Sequence, residues 1–600
     1  MCGIAAHFRR HRPATPLDLR LIAHRGPDAS GEWLSPDGRF WLGNTRLAIL
    51  DLSPAGAQPM IDPATGNVLV INGEIYNHLA LRAEMTGVDW RGTSDTETLL
   101  HGYARWGRDV VVRLKGMFAF AIHDRARAEL FVARDRLGIK PLYHTSDEEG
   151  IRFASEVKVL AGASPAITPE SVAAYLQWGA CPEHRLLFSG IEVLPAGHAM
   201  VIPEAGEREL WRYWPARKSF TSPNESAPQK IRSLLETAVE EHLLSDVPVA
   251  SFLSGGIDSS IVTVLAAQRL ERKLETFSVG FDVAGFDESA IALEVAQRFG
   301  TKHERLQLTE DEMIQSVTEA VALLDLPSVD AINTYIVSRA VARRGVKVAL
   351  TGLGGDELFG GYPSFRDVPR LQLLARLPRI LRRAIGGERL ADLPNDANAG
   401  ELAQWRRRFF TDEMLRRAGL PNEPTPLPCP VELPDDFAWI SWAELAGYMR
   451  RLLLRDSDQM SMAVSLELRV PFLDHDLVEY SLGLPAAVKR RCRGTKGLLV
   501  EACRDLLPPA VYQRPKAGFA LPMQKWMEGS LAPFVEDGLC EVVGRELLPE
   551  KFVADARADF RAGRLHWTRL WSMVVLGHFV RRTQAARPRS DENITLHSFA

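Results

Sequence analysis

Residue 2 of this chain is a cysteine directly after the initiator Met, so removal of Met1 would leave a thiol and a free α-amine on Cys2. An α-amine titrates at roughly 7.7–8.0 and a thiol at roughly 8.5, so the amine can act as the base that activates the thiol. A cysteine that follows Met by chance is the plainer reading of that pair alone. A second stretch, Ser254-Gly255-Gly256-Ile257-Asp258-Ser259-Ser260, lies between the apolar run Val247 to Leu253 and the helix-like run Ile261 to Leu270. A strand feeding a Gly-rich turn and then a helix N-terminus aims several main-chain N–H groups at one point, which makes an anion nest. Gly255 and Gly256 let the main chain approach a ligand, Ser254, Ser259 and Ser260 add hydroxyl donors, and Asp258 suits a divalent metal held against phosphates. A Gly-Gly turn capped by serines is the competing structural reading. The string is neither Gly-x-x-x-x-Gly-Lys-Ser/Thr nor Gly-x-Gly-x-x-Gly, which argues against kinase-like and dinucleotide-binding readings.

The elements that must carry these groups belong to a large chain. At 600 residues it exceeds what one core usually supports, and 46% apolar with 25% charged residues is ordinary globular composition. Lysine plus arginine total 72 against 76 acidic residues, a net charge of −4, so no nucleic-acid partner is implied. No apolar stretch reaches transmembrane length and the N-terminus lacks a long apolar signal core, so a cytoplasmic protein without a membrane partner is expected. Cys2, Cys181, Cys429, Cys492, Cys503 and Cys540 show no Cys-x-x-Cys spacing and are too sparse for a disulfide framework.

Cys2-Gly3-Ile4 is followed in order by His24-Arg25-Gly26-Pro27-Asp28, Gly43-Asn44-Thr45-Arg46-Leu47-Ala48-Ile49, Asn72-Gly73-Glu74-Ile75-Tyr76-Asn77 and Ser94-Asp95-Thr96-Glu97. Leu114 to Phe120 and Arg134 to Tyr143 continue the series. In order and spacing these segments resemble the class II glutamine amidotransferase domain, an N-terminal-nucleophile hydrolase with an αββα sandwich. The resemblance implies that Cys2 attacks the side-chain amide of glutamine, with the Asn72 amide and the Gly73 N–H stabilising the oxyanion. It implies Arg46 for the carboxylate of glutamine, with Asp95 and Glu74 for its ammonium. Ser94 with Glu97 also reads as a capping box for a helix to Trp106. Strand-like runs at Val68 to Ile71, Met117 to Ile122, Leu130 to Ala133 and Ile151 to Ala154, with helical stretches Leu79 to Met85 and Thr96 to Trp106, suit that architecture.

Residues 206–229 are rich in Pro, Gly and charge and read as a linker, followed by helical spacing from Ile231 to Leu244. Beyond it, strand-like and helix-like runs alternate: Leu274 to Phe281, Glu288 to Phe299, Glu304 to Leu308, a helical pair, then Val346 to Leu350. Such alternation implies a parallel sheet with ligands beyond the strands' C-terminal ends. A second Gly-rich loop, Thr351-Gly352-Leu353-Gly354-Gly355-Asp356, falls at such an end, and Asp356 could join Asp258 on a divalent metal held against phosphates, or either aspartate could instead cap a helix.

The first of these loops resembles that of the ATP pyrophosphatase superfamily. With Trp178 to Glu183, Leu194 to His198, Ser465 to His475, Lys496 to Leu499 and Arg514 to Phe519, the chain resembles the asparagine synthetase family over nearly its whole length. The resemblance implies that Lys496 neutralises the phosphates and the acyl-adenylate transition state, and that Leu253, Val279, Thr351 and Gly352 line adenine and ribose. Two departures bear on the acceptor. Asparagine-forming members commonly carry an acidic residue where this chain has Leu353, and Asp330 to Tyr335 differs from the Thr-Thr-x-Arg type of segment seen in some members.

The expected architecture is therefore an amidotransferase domain over 2–205, a linker over 206–229, and a parallel-sheet α/β ATP-pyrophosphatase-type domain over 230–580. A polar tail over 581–600 completes it, and residues 384–436 stay undecoded. The expected activity is glutamine-dependent amidation of aspartate through an acyl-adenylate, with ATP and Mg2+ as cofactors, small molecules as partners and a homodimer as an open option. Amidation of another carboxylate, such as a sugar acid or a biosynthetic intermediate, is the alternative that Leu353 favours. Because water would hydrolyse an exposed adenylate, an enclosed path for ammonia is also expected.

Overall fold

The computed structural model describes residues 2–162, 165–215, 226–281, 289–422, 425–429, 431–491, 494–513 and 521–585. The motif Arg514 to Phe519, Glu288, Cys492, part of the expected linker and most of the expected tail lie outside these residues.

The first domain is two stacked six-stranded antiparallel sheets. One runs Glu192–Val193, Tyr143–Asp147, Gly150–Ala154, Cys2–Arg9, Phe40–Arg46, Ala29–Leu34; the other runs Glu209–Arg212, His198–Pro203, Glu129–Arg134, Gly116–Asp124, Val68–Ile75, Met60–Ile61. Strand alternation divides the apolar residues between two cores. Ile4, Ala6, Phe8, Val68, Val70, Ala119 and Ala121 meet between the sheets. Leu69, Ile71, Phe118, Phe120 and Ile122 point outward onto a layer containing Leu99, Leu100 and Tyr103 of the helix Asp95–Trp106. On the opposite outer face, Ala5, Trp41 and Ala154 pack with Val172, Tyr175 and Leu176 of the helix Pro169–Trp178. The order of layers is helix, sheet, sheet, helix.

The second domain is built on a five-stranded parallel sheet, in the order Lys302–Leu308, Glu275–Phe281, Val249–Phe252, Val348–Leu350, Glu467–Arg469. Val249, Val348 and Leu350 pack with Ile231, Leu235 and Ile261 of the helices Ala227–His242 and Ile257–Arg269. Ala250 and Ala349, one residue along, face Val341 of the helix Ala331–Ala342. Helices therefore cover both faces, as the expected alternation requires.

Several elements fall where the sequence gives no element or only a linker or tail. Glu209–Arg212, inside the expected linker, is an edge strand paired antiparallel with His198–Pro203, and the helix Ala227–His242 begins before the expected end of that linker. The last helix, Trp567–Ala585, runs past the expected start of the tail. Residues 384–436 include the helix Asp412–Arg417 and the helix Ala399–Arg407, whose Leu402 and Trp405 join Val368 and Ile440 in a core of their own. The strand Glu467–Arg469 has no apolar signature, because its two charged residues pair with each other inside the protein.

Candidate active sites

Cys2 opens the strand Cys2–Arg9 and lies opposite Arg46 in the ladder. Its main-chain N–H donates to Asn72 Oδ1 at 3.2 Å, so the strand Val68–Ile75 of the other sheet holds the nucleophile's nitrogen. Asn72 is fully buried, and its Nδ2 has no hydrogen-bond partner among the described residues. A buried amide donor left unpaired is costly unless a ligand takes it, so this nitrogen suits a developing oxyanion. Gly73 beside it has φ +153°, and an added Cβ would overlap the main chain of Met117 on the neighbouring strand. Burial pushes the Cys2 thiol up, while the N-terminal charge, hydrogen bonds to the Leu47 main chain and the Asn44 side chain, and Arg46 pull it back. Asn44 sits inside the strand Phe40–Arg46, where an asparagine carries no sequence signal of its own.

The other glutamine-side residues divide. Arg46 donates to the carbonyls of Leu50 at 3.3 Å, Asp51 at 2.5 Å and Ser53 at 3.3 Å, so its guanidinium braces the loop that follows its strand. Asp95, in the first turn of its helix, accepts from Ile75 N–H at 2.8 Å, and burial pushes its carboxyl up to about 6. Ser94 caps Glu97 N–H, but the Glu97 carboxylate takes the N–H groups of Arg91 and Gly92, so the expected box is made on one side. The Glu74 carboxylate pairs with Arg469 of the second domain at 3.5 Å. Arg469 is fully buried and also holds Glu467 at 2.5 Å and the carbonyls of His242 at 2.8 Å and Leu244 at 2.6 Å.

A second buried arginine ties the nucleophile's strand to the other domain. Arg25 donates to the Cys2 carbonyl at 3.2 Å and pairs with Glu156 at 3.0 Å and with Asp458 at 2.8 Å. Asp458 follows Ser457, which lines a cavity of about 730 Å3 in the second domain. Sequence reasoning missed both arginines, because the partners that join them across the domains, Asp458 for Arg25 and Glu74 for Arg469, lie hundreds of residues away.

That cavity lies beyond the C-terminal ends of Val249–Phe252 and Val348–Leu350, where the two glycine loops meet. Leu253, Ser254, Gly256, Asp258, Ser259, Val279, Thr351, Gly352, Asp356 and Lys496 all line it. Gly255 and Ser260 do not: Gly255 turns the chain at φ +75°, and Ser260 is buried within the helix that the loop opens. Ser254 and Ser259 hydroxyls bond each other at 3.0 Å, and Ser254 also takes Gly256 N–H, so the loop holds its own shape. An added Cβ on Gly352 would lie 2.7 Å from Ser259 N, which is why the second loop can nest against the first.

Among the described residues, Lys496 is the cation that lines this cavity. Its ammonium pairs with Asp258 and, at 2.7 Å, with Asp356, from a main chain held at φ +55°. Burial alone would push it down; the charges of Asp258 and Asp356 more than reverse this and raise it. Glu357, buried in the cavity wall, accepts the Tyr362 hydroxyl at 2.7 Å, and burial together with Asp356 pushes its carboxyl up to about 8. Leu353 lines the same cavity with Asn333 and Thr334 of the helix Ala331–Ala342.

Comparison with known proteins agrees with this division. Residues 1–214 match the family described as glutamine amidotransferase domain, and residues 230–581 match the family described as asparagine synthase. A Mycobacterium tuberculosis protein provisionally titled asparagine synthetase [glutamine-hydrolyzing] is 34% identical, over 92% of this chain and 91% of that one. Asparagine synthetase [glutamine-hydrolyzing] 1 of Bacillus subtilis is 30% identical over 96% of each. Amidase chry2 of Gibberella zeae is 29% identical over 88% of this chain and 90% of that one. No described helix is long and apolar enough to cross a membrane.

Proposed function

This chain belongs to the asparagine synthase family and is a glutamine-dependent carbon–nitrogen ligase that uses ATP, and from that premise we propose that it converts L-aspartate to L-asparagine. ATP, aspartate, glutamine and water would give asparagine, glutamate, AMP and pyrophosphate. The observation that carries the reading is the meeting of both glycine loops with Lys496, Asp258 and Asp356 in one cavity.

In this reading Met1 is removed, and the freed Cys2 amine, steadied by Asn72 Oδ1, takes the thiol proton as sulfur attacks the glutamine amide. Asn72 Nδ2 and Gly73 N–H receive the oxyanion and Arg46 and Asp95 frame the free amino acid; the C–N bond then breaks as the amine gives its proton to the departing ammonia, and water hydrolyses the resulting thioester to free glutamate and restore the Cys2 thiol. In the second domain, main-chain N–H groups of the first loop and the Ser254 and Ser259 hydroxyls hold phosphate oxygens, with Leu253, Val279, Thr351 and Gly352 around the nucleoside. The carboxylate of the acceptor displaces pyrophosphate at the α-phosphorus, and Lys496 neutralises the charge that builds there. Glu357, held by Tyr362, is placed to take a proton as ammonia displaces AMP.

Asp258 and Asp356 already converge on one cation, the Lys496 ammonium, and two carboxylates plus phosphate oxygens make the hard donor set that Mg2+ prefers. We assign those two residues to Mg2+, which would supply charge neutralisation on the departing pyrophosphate. Ammonia would pass inside the domain interface near Arg25 and Arg469, and mutation of that interface that leaves glutamine use and amide formation coupled would contradict this route.

One observation favours a second acceptor. Leu353 presents an apolar side chain to the cavity, and an amidase is among the relatives. A panel of carboxylic acids supplied with MgATP and ammonium separates the two readings: AMP release with aspartate supports the first, and AMP release with another acid alone supports the second.

A further inference from the structure

The interface between the domains holds a charge imbalance that neither catalytic site uses. Residues Glu444–Leu454 are wound as a π-helix, a rare form that is frequent at functional sites, and they run directly into the helix Arg455–Met462. This winding sets Arg450, Arg451 and Arg455 around a small cavity of about 20 Å3 whose other wall, with Arg134 and Glu183, belongs to the first domain. Glu183 is the only carboxylate lining it among the described residues, against four guanidinium groups.

Two of those four are already satisfied. Arg134 pairs with Glu183 at 2.7 Å and donates to the carbonyls of Lys140 at 2.7 Å, Gly138 at 2.9 Å and Leu194 at 2.9 Å. Arg450 reaches the other Glu183 oxygen at 3.8 Å and the Leu137 carbonyl at 3.2 Å. The remaining two are not. Arg451 is only 6% exposed and lies 3.9 Å over the Trp178 ring, and its Nη1 has no hydrogen-bond partner among the described residues. Arg455 gives Nη1 to the Cys181 carbonyl at 2.7 Å, while its buried Nε and Nη2 have no partner among those residues. Nearby acids are engaged elsewhere: Glu444 holds Arg407 at 2.8 Å, and Asp456 takes the Ser328 hydroxyl and, at 2.9 Å, Gln459 Nε2.

Buried, unpaired guanidinium N–H groups are costly, and a fixed fork of donors suits a compact anion. The cavity has room for about one water-sized sphere, too little for a carboxylic acid or a phosphate ester. We propose that this cavity binds one small monovalent inorganic anion, of the size of chloride, between Arg451 and Arg455. Bound there, the anion offsets the excess positive charge and joins the second domain's helix to the Arg134–Glu183 wall of the first, so it acts as an inorganic fastener of the domain interface.

The full-length protein tests this without reference to turnover. 35Cl NMR linewidth and thermal unfolding are followed as potassium chloride replaces potassium gluconate at constant ionic strength. Saturable broadening that bromide displaces, with a saturable rise in unfolding midpoint, is expected. Both are lost in the double variant Arg451→Met, Arg455→Gln, whose folding is checked by retained glutamine hydrolysis, and both persist in Arg455→Lys. If chloride gives no saturable effect on the wild-type chain, or the same effect on the double variant, the site does not exist. A response to sulfate equal to that to chloride would equally overturn a site of this size.

Discussion

Asn72 does two jobs in the account, and replacing it separates them from everything else. Asn72→Ala removes Nδ2, the buried donor that no described residue uses, and Oδ1, which holds Cys2 N–H at 3.2 Å. Loss of one oxyanion donor costs about 10²–10³ in turnover, or roughly 3–4 kcal/mol. Loss of a neutral hydrogen bond adds about 1 kcal/mol, close to another fivefold. Glutamine hydrolysis by Asn72→Ala should therefore fall by about 10³ in kcat, with a small change in KM, because the oxyanion forms only after substrate binds. Asn72→Asp keeps an acceptor for the Cys2 nitrogen but removes the donor, so it should lose at least about 10² as well. The assay is glutamate release, with AMP release driven by MgATP, acceptor and ammonium as the internal control, which both variants should retain. Glutaminase turnover within a few-fold of wild type in either variant would refute Asn72 as the oxyanion donor.

Other expectations follow from the same geometry. Cys2→Ala should abolish glutamine hydrolysis while leaving ammonium-driven AMP release, measured side by side. Lys496→Gln should lose at least about 10² in AMP release, the scale of one electrostatic contact to a transition state, and keep glutaminase activity. Arg25→Met removes the cation that Glu156 and Asp458 share, leaving each with a lysine, Lys158 and Lys140; thermal unfolding should shift downward with loss of coupling between glutamine use and amide formation. Lys489 has no hydrogen-bond partner for its Nζ among the described residues, and burial, against the attraction of Asp435, pushes it down to about 7. The folded protein thus binds fewer protons there than the unfolded chain, so this lysine costs stability most below pH 7 and progressively less as pH rises toward its unfolded value of about 10.4. Lys489→Met should raise the unfolding midpoint more at pH 6 than at pH 9, and an equal gain at both would contradict the assignment.

Local chemistry made the catalytic loops legible in the sequence, and distance hid the rest. The run Val247 to Leu253, two glycines and a helix-like run identify strand, turn and helix by themselves, and the structure places that strand at Val249–Phe252 and the helix at Ile257–Arg269. Continuous apolar, strand-like runs mark the strands around Val68 and Met117. Glu467–Arg469 was not legible as a strand because its charges are neutralised by each other and by Glu74 from the other domain. Glu74 illustrates the same point: it pairs with a cation contributed by residue 469, which its local motif does not announce. Ser260 read as a loop hydroxyl, yet one further residue of helix carries it into the core. Arg25 and Asp458 are 433 positions apart, a pairing that no spacing rule can anticipate.

The most direct test of the central claim is AMP and asparagine formation by the full-length protein with MgATP and L-aspartate, with ammonium or glutamine as nitrogen source. The account predicts AMP and asparagine in equal amounts from either source, and only from ammonium after Cys2→Ala. Intact glutamine hydrolysis with neither AMP nor asparagine formed from aspartate would contradict it.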